Sequence, residues 1–503
     1  MPPLPHEHAW SLICPPVAPS LAPMSPTPRR KASPLAAIVL AAGKGTRMRS
    51  RRAKVLHEVC GRPLAYYPVR RALEIGADPV VVVVGHQADE VKDVLLRLLP
   101  GAPLRFARQE RQLGTAHAVV SARPALRGYS GQVLILSGDT PLLTADTLSS
   151  VVSARARSGA ALAFATMTLE NPEGYGRVVH APNGGPALIV EEKDATAEEK
   201  GIKEVNAGLY CADSGFLWST LGRVDSKNAQ REFYLTDLVA LAAEGPGAVA
   251  AKVSPVEAAG VNDHEELSLS ARALTRRLVL ALMEQGVGVE DPERLDCDEG
   301  VRVGADTVIE PSVRLKGTTR VGSGCRIGQG SILTDTVVED GATIRPYTVA
   351  DGARVGKGAL VGPFARLRPG TVLGPEVHIG NFVELKKTSV GRGSKANHLT
   401  YLGDASIGAS VNVGCGTITC NYDGQKKHPT VIDDGVFVGS DSILVAPIRI
   451  GKKAYVAAGS TLTEDVPAGA LALGRARQVN KAGWVAQLTR ARSARPVSRR
   501  RGR

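Results

Sequence analysis

The chain has few aromatic residues, and its cysteines are scattered along the sequence. Only 4% of its 503 residues are Phe, Trp or Tyr, so aliphatic and small side chains must fill most of its core. The seven cysteines are odd in number and contain no Cys-x-x-Cys pair, which argues against a disulfide framework and against a typical zinc site. No stretch has the roughly 18 consecutive apolar residues that a transmembrane helix needs. These absences favour a protein of the reducing cytoplasm without a membrane segment.

The basic residues are concentrated towards the ends of the chain. Lysine and arginine outnumber aspartate and glutamate by 62 to 49, but no acidic residue follows Asp465 and arginines are frequent after it. Ten prolines fall within residues 1–34, where they prevent a continuous helix or strand. We therefore predict disordered tails over residues 1–34 and 488–503. We expect no nucleic-acid partner, because basic tails are more often solvated than specific binding elements.

Residues 303–466 carry an aliphatic residue at every sixth position, with a few interruptions. Val303, Ile309, Leu315 and Val321 begin this register. A six-residue repeat is typical of a parallel β-helix, in which each hexad forms one short strand and one turn. A glycine often follows the aliphatic residue directly, and we expect it to adopt the positive φ that a tight corner requires. The alternative, a sandwich of short antiparallel strands, does not explain so long a register.

A different pattern precedes the repeat. Short apolar strands at Ala37–Leu40, Val80–Val84 and Val133–Leu136 alternate with amphipathic helices. Such alternation predicts a Rossmann-like α/β domain with a mostly parallel sheet, which binds its ligand beyond the carboxyl ends of the strands. A helical pattern over residues 264–286 then leads to the repeat. The predicted domains are an α/β domain over residues 35–263, a helical linker over 264–299 and a left-handed parallel β-helix over 300–487.

The loop after the first strand is suited to binding a triphosphate. It presents consecutive backbone N–H groups from Ala42 to Gly45, together with the cations Lys44 and Arg47. Glycine lets the backbone approach a phosphate closely, and N–H dipoles favour negative charge. The loop lacks the Gly-Lys-Ser/Thr of a Walker motif, and an ordinary surface turn would also contain Gly-x-Gly.

A nucleotidyl transfer at this loop would need positive charge and a metal ion. When a sugar phosphate attacks the α-phosphorus in line and pyrophosphate leaves, the protein must neutralise phosphate charge and hold Mg²⁺. Arg47 and Lys54 can supply cations, and Asp139, which follows Gly138 at a strand end, can bind the metal. A carboxylate at such a position is otherwise a helix cap.

Motifs along the whole chain resemble one enzyme family. The string Leu40-Ala-Ala-Gly-Lys-Gly-Thr-Arg-Met48, followed by Lys54-Val-Leu, is similar to nucleotidyltransferases that join a nucleoside triphosphate to a sugar 1-phosphate. Further matching strings are Gln112-Leu-Gly-Thr115, Tyr175-Gly-Arg177, Asn206-Ala-Gly208, Tyr234-Leu-Thr-Asp237 and Gly260-Val-Asn262. From Ala37 to Trp484 the chain resembles the bacterial bifunctional N-acetylglucosamine-1-phosphate uridylyltransferase/glucosamine-1-phosphate N-acetyltransferase family.

The resemblance implies roles for residues of the N-terminal domain. Arg47 and Lys54 would be catalytic, and Asp139 and Asn262 would hold Mg²⁺. The nucleotide would contact Leu40, Ala41, Ala42, Gly43, Lys54, Gln109, Gly114 and Thr115, and N-acetylglucosamine would contact Gly176, Glu191, Asn206 and Asn262. His86 and His117 are interpreted as structural.

A second candidate site lies where the six-residue repeat breaks. Runs around Arg368, Lys386 and His398 place charged and aromatic side chains near corners of the coil, where a purely structural coil does not need them. Transfer of an acetyl group from a thioester to an amine requires a base, and histidine suits that role near neutral pH. A lone histidine is more often structural, but Asn397 and Tyr401 beside His398 favour a catalytic role.

The resemblance extends to this second site. It implies that Arg368, Lys386, Tyr401 and Asn412 bind the sugar phosphate, that Cys415, Asn421, Tyr422, Ser440, Ala458 and Arg475 bind acetyl-coenzyme A, and that Glu384 orients or shares the base. Cys415 departs from the family, which often has Ala there. We interpret the insertion Asn421–Pro429 as a loop that reaches a neighbouring subunit, because such coils usually associate as trimers.

The resemblance implies a cytoplasmic homotrimer with two activities. It would acetylate glucosamine 1-phosphate from acetyl-coenzyme A and then couple the product to UTP, forming UDP-N-acetylglucosamine for peptidoglycan and lipopolysaccharide. One alternative is a glucose-1-phosphate nucleotidyltransferase with a regulatory coil, and another is a non-catalytic scaffold subunit. The cluster from His398 to Tyr401 argues against the first, and the presence of Arg47, Lys54 and Asp139 argues against the second.

Overall fold

The computed structural model describes residues 33–493. The tail predicted over residues 1–34 lies almost wholly outside the described residues, as does the end of the tail predicted over 488–503. The described chain forms an α/β domain and a coil of short strands, joined by a long helix. No helix within residues 33–493 is both long enough and apolar enough to cross a membrane.

The N-terminal domain is built on a mixed, mostly parallel sheet. Its strands are β1 (Leu35–Ala41), β2 (Glu58–Val59), β3 (Arg62–Pro63), β4 (Val80–Val84), β5 (Leu104–Arg108), β6 (Gln132–Ser137), β7 (Leu162–Thr168), β8 (Arg177–His180), β9 (Pro186–Val190), β10 (Glu204–Asp213) and β11 (Ala248–Lys252). The order is β11-β7-β10-β6-β1-β4-β5, in which β10 runs antiparallel to both neighbours. β2 pairs with β3 in a separate hairpin, and the β8–β9 hairpin attaches to β10. The predicted strand and helix alternation is confirmed.

Helices cover both faces of this sheet. They are α1 (Tyr66–Glu74), α2 (Ala88–Leu98), α3 (Thr115–Ser121), α4 (Ala145–Ser158), α5 (Ser214–Thr220), α6 (Asp237–Ala243) and α7 (Pro255–Ala258). The all-valine strand β4 is fully buried, and its alternate residues enter two separate hydrophobic clusters, one with Leu95 of α2 and the other with Val119 of α3. Because successive side chains of a strand point to opposite faces, a strand that is apolar throughout requires cover on both sides.

The helix α8 (His264–Glu284) connects the two domains. The Asp263 carboxylate caps its first turn by accepting the N–H groups of Glu265 and Glu266 at 3.0 and 2.9 Å. Leu274 packs into the core of the N-terminal domain, whereas Leu282 packs into the core of the coil. One helix thus shares its apolar face between two cores.

The coil begins before the boundary that the hexads predict at residue 300. Its first strand, Gly288–Val289, lies in the segment 264–299 that the sequence assigns to the linker. Val289 pairs with Ile309, a separation of 20 residues. The regular repeat has about 18 residues per coil. The longer first coil does not fit the six-residue register, which explains why the pattern misses it.

The C-terminal domain is a left-handed parallel β-helix with three faces, each a ladder of parallel strands. The first face contains Gly288–Val289, Val308–Ile309, Arg326–Ile327, Thr343–Ile344, Leu360–Val361, Asn412–Val413, Phe437–Val438, Tyr455–Val456 and Leu471–Ala472. The second contains Asp296–Cys297, Arg314–Lys316, Ile332–Thr334, Val349–Asp351, Arg366–Leu367, Ile418–Cys420, Ile443–Val445 and Thr461–Leu462. The third contains Arg302–Val303, Arg320–Val321, Val337–Val338, Arg354–Val355, Val372–Leu373, Ser389–Val390, Ala405–Ile407, Thr430–Ile432 and Ile448–Ile450.

Two longer strands run through both the first and the second face. These strands, His378–Lys386 and Lys395–Gly403, pair with each other over most of their length. They bend around the corner between the two faces, so that their middle residues stand at that corner. This is where the sequence places the break in its repeat.

The aliphatic residues of the repeat form the core of the coil. Ile309, Ile327 and Ile344 have no exposed surface. The small residue four positions after an aliphatic one is buried too, and its hydroxyl group is satisfied internally: Thr307 Oγ1 donates to the carbonyl oxygen of Gly322 at 2.7 Å. The parallel β-helix predicted from the repeat is confirmed.

The glycines that directly follow the aliphatic residues have a different role from the one predicted. Gly328 has a negative φ, but a Cβ there would lie 2.5 Å from the backbone nitrogen of Pro346 in the next coil. Positive φ occurs instead three residues after the aliphatic position, as at Gly324 (64°) and Tyr347 (58°), although Gly362 (96°) is an exception. The expectation was wrong because these glycines are required by contact between successive coils, which a pattern within one coil does not contain.

The expected basic tail starts as a helix. The helix α9 (Trp484–Ser493) extends past residue 488, where the sequence predicts disorder. Arg490 and Arg492 lie in its last turn, where positive charge interacts favourably with the helix dipole. Residues 494–503 lie outside the described part of the chain.

Replacing Gly328 with Ala should destabilise the coil more than replacing Gly324 with Ala. At Gly324 a Cβ meets open space, so the cost is the left-handed backbone penalty of about 1 to 2 kcal/mol. At Gly328 a Cβ overlaps backbone atoms of the next coil, and relief requires a backbone shift that costs up to about 3 kcal/mol. Urea unfolding followed by circular dichroism measures both. A larger loss for Gly324→Ala would contradict the contact argument.

Candidate active sites

A cavity of about 270 Å³ opens at the carboxyl ends of β1 and β6. It is lined by Leu40, Ala42, Gly43, Lys54, Gln109, Gly114, Thr115 and Asp139, which the sequence assigns to the nucleotide or the metal, and by Val55, Gln112, Ala118, Ser137 and Glu232. Its lining does not include three predicted residues: Ala41, Arg47 and Asn262. Ala41 packs into the domain core, and Arg47 is exposed on the short 3-10 helix Thr46–Met48. The structure therefore gathers most of the predicted nucleotide site.

The loop at the mouth of this cavity depends on one glycine. Gly45 has a φ of 62°, and a Cβ at this position would overlap the side chain of Lys54. Glycine thus allows Lys54 to cross the loop at close range. On the other side, Gln112 Nε2 donates to the carbonyl oxygen of Ala42 at 2.7 Å. The sequence motif includes Gln112, but its role in holding the loop becomes visible only in the fold.

Two side-chain oxygens converge on the Lys54 ammonium group. Lys54 Nζ contacts Asp139 Oδ2 and lies 3.3 Å from Asn262 Oδ1. Asp139 follows β6 and Asn262 precedes the cap of α8, so a strand end and a helix start bring them together. Within residues 33–493 no group of three or more His, Cys, Asp and Glu side chains could hold a metal ion. A carboxylate and an amide oxygen nevertheless fit Mg²⁺, which completes its coordination with water and substrate phosphates.

Three of the four predicted sugar contacts lie together where β8, β9 and β10 meet: Gly176 precedes β8, Glu191 follows β9 and Asn206 is in β10. The fourth, Asn262, lies beside Lys54. The Asn206 N–H donates to the Gly176 carbonyl oxygen at 2.9 Å, and a Cβ on Gly176 would lie 3.4 Å from Glu191 Oε2. Burial raises the pKa of the Glu191 carboxyl group, and the Thr236 hydroxyl donates to its Oε1 at 3.0 Å. The pairing of β10 with β7 is irregular between Asn206 and Tyr210, where Gly208 has a φ of 71°.

A segment between α5 and α6 forms the wall at the predicted base end. A Cβ on Gly114 would overlap the backbone of Phe233, so these two chain segments can meet only at a glycine. Thr115 Oγ1 accepts the N–H of Leu235 at 3.0 Å. Glu232 of the same segment lines the cavity, although no sequence motif assigns it there.

In the second domain, one corner of the coil carries a column of five residues, four of which are predicted site residues. In successive coils, the residue two positions after a core residue of the first face is Asn381, His398, Cys415, Ser440 and Ala458. His398 is exposed, and its Nδ1 lies 3.1 Å from Asn381 Oδ1. An amide oxygen accepts the Nδ1 proton and leaves Nε2 with the free electron pair that a base needs. Asn381 was missed because its partner is in the next coil.

The far end of this column reaches the last coils. The side chain of Arg475 packs over Gly459, where a Cβ would lie 3.9 Å from Arg475 Cδ. Gly459 directly follows Ala458, and its N–H donates to the Ser440 carbonyl oxygen at 2.8 Å. Cys415 is a half-buried free thiol in the middle of the column. The predicted coenzyme A residues Cys415, Ser440, Ala458 and Arg475 therefore extend in a row from His398.

A second group of predicted residues lies on the second face of the coil. Arg368 Nη1 donates to Glu384 Oε1 at 3.0 Å, and Glu384 pairs along the ladder with Tyr401. Tyr401 and Asn421 both lie over Gly403, where a Cβ would overlap them. Asn421 Nδ2 also donates to the Asp404 carboxylate, and Tyr422 follows it in an exposed loop. Lys386 ends the strand next to this group.

The loop Asn421–Pro429 adds a cation that the sequence reasoning missed. Lys427 lies beside Lys386, and the hydrogen bond and charge of Lys386 lower the pKa of the Lys427 amine. Two adjacent ammonium groups favour binding of a phosphate, which relieves their repulsion. The signal available in the sequence was the basic pair Lys426 and Lys427 in the insertion.

One chain does not bring all the predicted sugar-phosphate residues together. Asn412 lies on the first face, paired with Lys395 and Phe437. Lys395 begins the long strand in which Tyr401 occupies the second face, six residues later. Asn412 therefore points away from the face that carries Arg368, Lys386 and Tyr401.

Parts of the chain match two family models. Residues 37–205 match the MobA-like NTP transferase domain, and residues 429–464 match the hexapeptide repeat of succinyl-transferase. The first match covers the cavity of the N-terminal domain as far as β10. The second covers the late coils that carry Ser440 and Ala458.

Three curated relatives align with nearly the whole chain, and each is named bifunctional protein GlmU. The protein of Anaeromyxobacter sp. (strain Fw109-5) is 68% identical over 455 residues, which are 90% of this chain and 93% of the relative. That of Anaeromyxobacter dehalogenans (strain 2CP-1 / ATCC BAA-258) is 64% identical over 479 residues, 94% of this chain and 98% of the relative. That of Pelobacter propionicus is 51% identical over 452 residues, 90% of this chain and 98% of the relative. On this similarity along its length, the chain belongs to the family of the bifunctional protein GlmU.

Proposed function

We propose that the two sites described above carry the two activities of this bifunctional enzyme. The chain is a transferase of UDP-N-acetylglucosamine synthesis, with acetyl transfer to glucosamine 1-phosphate in the coil and uridylyl transfer from UTP in the N-terminal domain. The observation that supports the assignment of sites is their separation: one polar cavity lies at the sheet edge, and the His398 column lies on the coil. An enzyme with these two activities is neither a glucose-1-phosphate nucleotidyltransferase with a regulatory coil nor a non-catalytic scaffold subunit.

In the N-terminal site, Lys54 and the residues around it neutralise the negative charge of the phosphates. Asp139 and Asn262 would hold Mg²⁺, which supplies neutralisation of phosphate charge when bound. Lys54, whose ammonium contacts the same two oxygens, then directs its charge to the phosphates. The loop N–H groups around Gly43 and the exposed guanidinium of Arg47 bind the triphosphate from its outer side. A phosphate oxygen of N-acetylglucosamine 1-phosphate attacks the α-phosphorus in line, and pyrophosphate leaves.

In the coil, His398 acts as the base. Asn381 holds its Nδ1 proton, so Nε2 can take a proton from the amino group of glucosamine 1-phosphate as nitrogen attacks the thioester carbonyl. The carbon–sulfur bond then breaks, and coenzyme A leaves as the thiol. Arg368, Lys386 and Lys427 bind the sugar phosphate by charge. Acetyl-coenzyme A lies along the corner from Cys415 to Arg475, where small side chains leave room for an extended ligand.

The acetyl-transfer site is completed by further copies of the chain, and we propose a homotrimer. Asn412 and Tyr401 occupy different faces of the β-helix, so a single sugar phosphate meets both only between two chains. An exposed aromatic column supports such contact: Tyr347, Phe364 and Phe382 stack with ring centroids 5.2 and 5.4 Å apart. An apolar column this exposed favours burial against another chain.

A cytoplasmic location fits the sulfur chemistry of the chain. The six cysteines within residues 33–493 are all free thiols. Free thiols persist in a reducing compartment.

Single substitutions should separate the two activities. His398→Ala removes the base and should lower release of coenzyme A thiol by about 10² to 10⁴-fold, while pyrophosphate release from UTP and N-acetylglucosamine 1-phosphate is unchanged. Asp139→Ala should lower pyrophosphate release by roughly a thousandfold and leave thiol release unchanged. Both products are followed separately with purified protein, both substrate pairs and Mg²⁺. A folded variant that loses both activities would disprove the assignment of one site to each.

Breaking the aromatic column should dissociate the assembly. Phe382→Glu places a charge where an apolar contact is proposed, and loss of such a contact costs about 2 kcal/mol or more. Light scattering should show monomers, thiol release should fall, and pyrophosphate release should remain. Val372→Glu is the matched control, because Val372 is 45% exposed but lies on the third face. A Phe382→Glu protein that keeps the wild-type mass would rule out this contact.

A further inference from the structure

The orientation of one buried amide bears on which base the N-terminal site accepts. Gln109 is 6% exposed and lines the nucleotide cavity. Its Nε2 has two neighbours: the carbonyl oxygen of Gly114 at 3.2 Å and Nδ1 of His117 at 3.1 Å. The inference below rests on the proposed function, in which Gln109 contacts the base of UTP.

The carbonyl oxygen of Gly114 determines the orientation of the Gln109 side-chain amide. A carbonyl oxygen only accepts hydrogen bonds, so the amide group that faces it must be NH₂ and not the oxygen. The same NH₂ group faces His117, and Nδ1 of His117 must therefore be an acceptor. The histidine ring is then neutral, with its proton on Nε2. This ring also lines a second cavity of about 320 Å³ with Trp218 and Phe233.

Because the NH₂ group of Gln109 faces Gly114 and His117, its Oε1 faces the nucleotide cavity. Within residues 33–493 this oxygen has no hydrogen-bond partner. Uracil carries an N–H donor at N3, whereas cytosine carries a bare acceptor nitrogen there. An oxygen at this position accepts from uracil and opposes the lone pair of cytosine.

We propose that His117 is a specificity-determining residue, which keeps the Gln109 amide in the orientation that selects UTP over CTP. The Gly114 oxygen alone holds only one of the two N–H groups, and it also accepts the helix N–H of Ala118 at 3.2 Å. His117 supplies the acceptor for the second N–H group. The sequence interpretation left His117 structural, because a histidine in the first turn of a helix shows no chemistry until its partner is known. It is a positioning residue, since it acts through Gln109.

Removing the acceptor should weaken selectivity more than activity. In His117→Leu the amide loses one of two hydrogen bonds that fix it, so the ratio of kcat/KM for UTP to that for CTP should fall about tenfold. His117→Phe keeps a planar ring without the nitrogen and should lower the ratio similarly. His117→Asn restores an acceptor oxygen near the position of Nδ1 and should keep the ratio close to that of the wild type. Pyrophosphate release with N-acetylglucosamine 1-phosphate and Mg²⁺ measures each value.

Val120→Ala is the matched control. Val120 lies on the same helix and lines the same second cavity, but it does not contact Gln109. In Val120→Ala, the ratio of kcat/KM for UTP to that for CTP should equal the wild-type ratio. Equal losses for UTP and CTP in both His117→Leu and His117→Phe would overturn the proposal and leave His117 a structural residue. If the wild type releases no pyrophosphate from UTP, the proposed function itself fails, which is a separate outcome.

Discussion

Backbone hydrogen bonds between successive coils fix the position of every functional side chain in the C-terminal domain. The N–H groups of Arg326 and Gly328 donate to the carbonyl oxygens of Ala342 and Ile344 one coil further on, at 3.1 and 2.7 Å. Because each coil must lie in register with the next, equivalent residues of different coils form straight columns. A residue in this domain acquires its chemical environment mainly from the coils on either side of it.

The N-terminal domain gathers its site by a different constraint. Parallel strands end at one edge of the sheet, so the loops after β1 and β6 meet there without any sequence proximity. The start of α8 reaches the same edge and brings Asn262 to Asp139, and the far end of α8 enters the core of the coil. The residue that directly precedes the cap of α8 is therefore a predicted metal ligand, and its position depends on how α8 packs.

The sequence predicts what depends on a pattern within one element, and it misses what depends on a neighbouring coil. The core of the coil follows from aliphatic residues six apart, and the α/β domain follows from strands between amphipathic helices. Asn381 was not assigned to the site, because its partner His398 lies 17 residues away and only the coil length makes them neighbours. The error about Gly328 has the same cause, since Pro346 of the next coil is what excludes a side chain there. Lys427 was missed because an insertion folds back onto Lys386.

Along the corner that carries His398, the coils before this residue have large aromatic side chains and the coils after it have smaller residues. This difference divides one surface into two parts with different functions. Three residues after the core position, successive coils place Tyr347, Phe364 and Phe382 on the approach to His398, all with positive φ between 55° and 58°. Beyond it the same position holds Gly416, Asp441 and Gly459, with φ of 77°, 57° and 71°. Non-glycine residues in this backbone conformation carry an energetic cost, which the early coils accept in order to present large apolar surfaces. Two of these three late coils avoid that cost with glycine, and none of the three places a large apolar side chain at the corner. The backbone is constant along the column, and side-chain size alone divides it into a surface suited to another chain and a surface suited to an extended ligand.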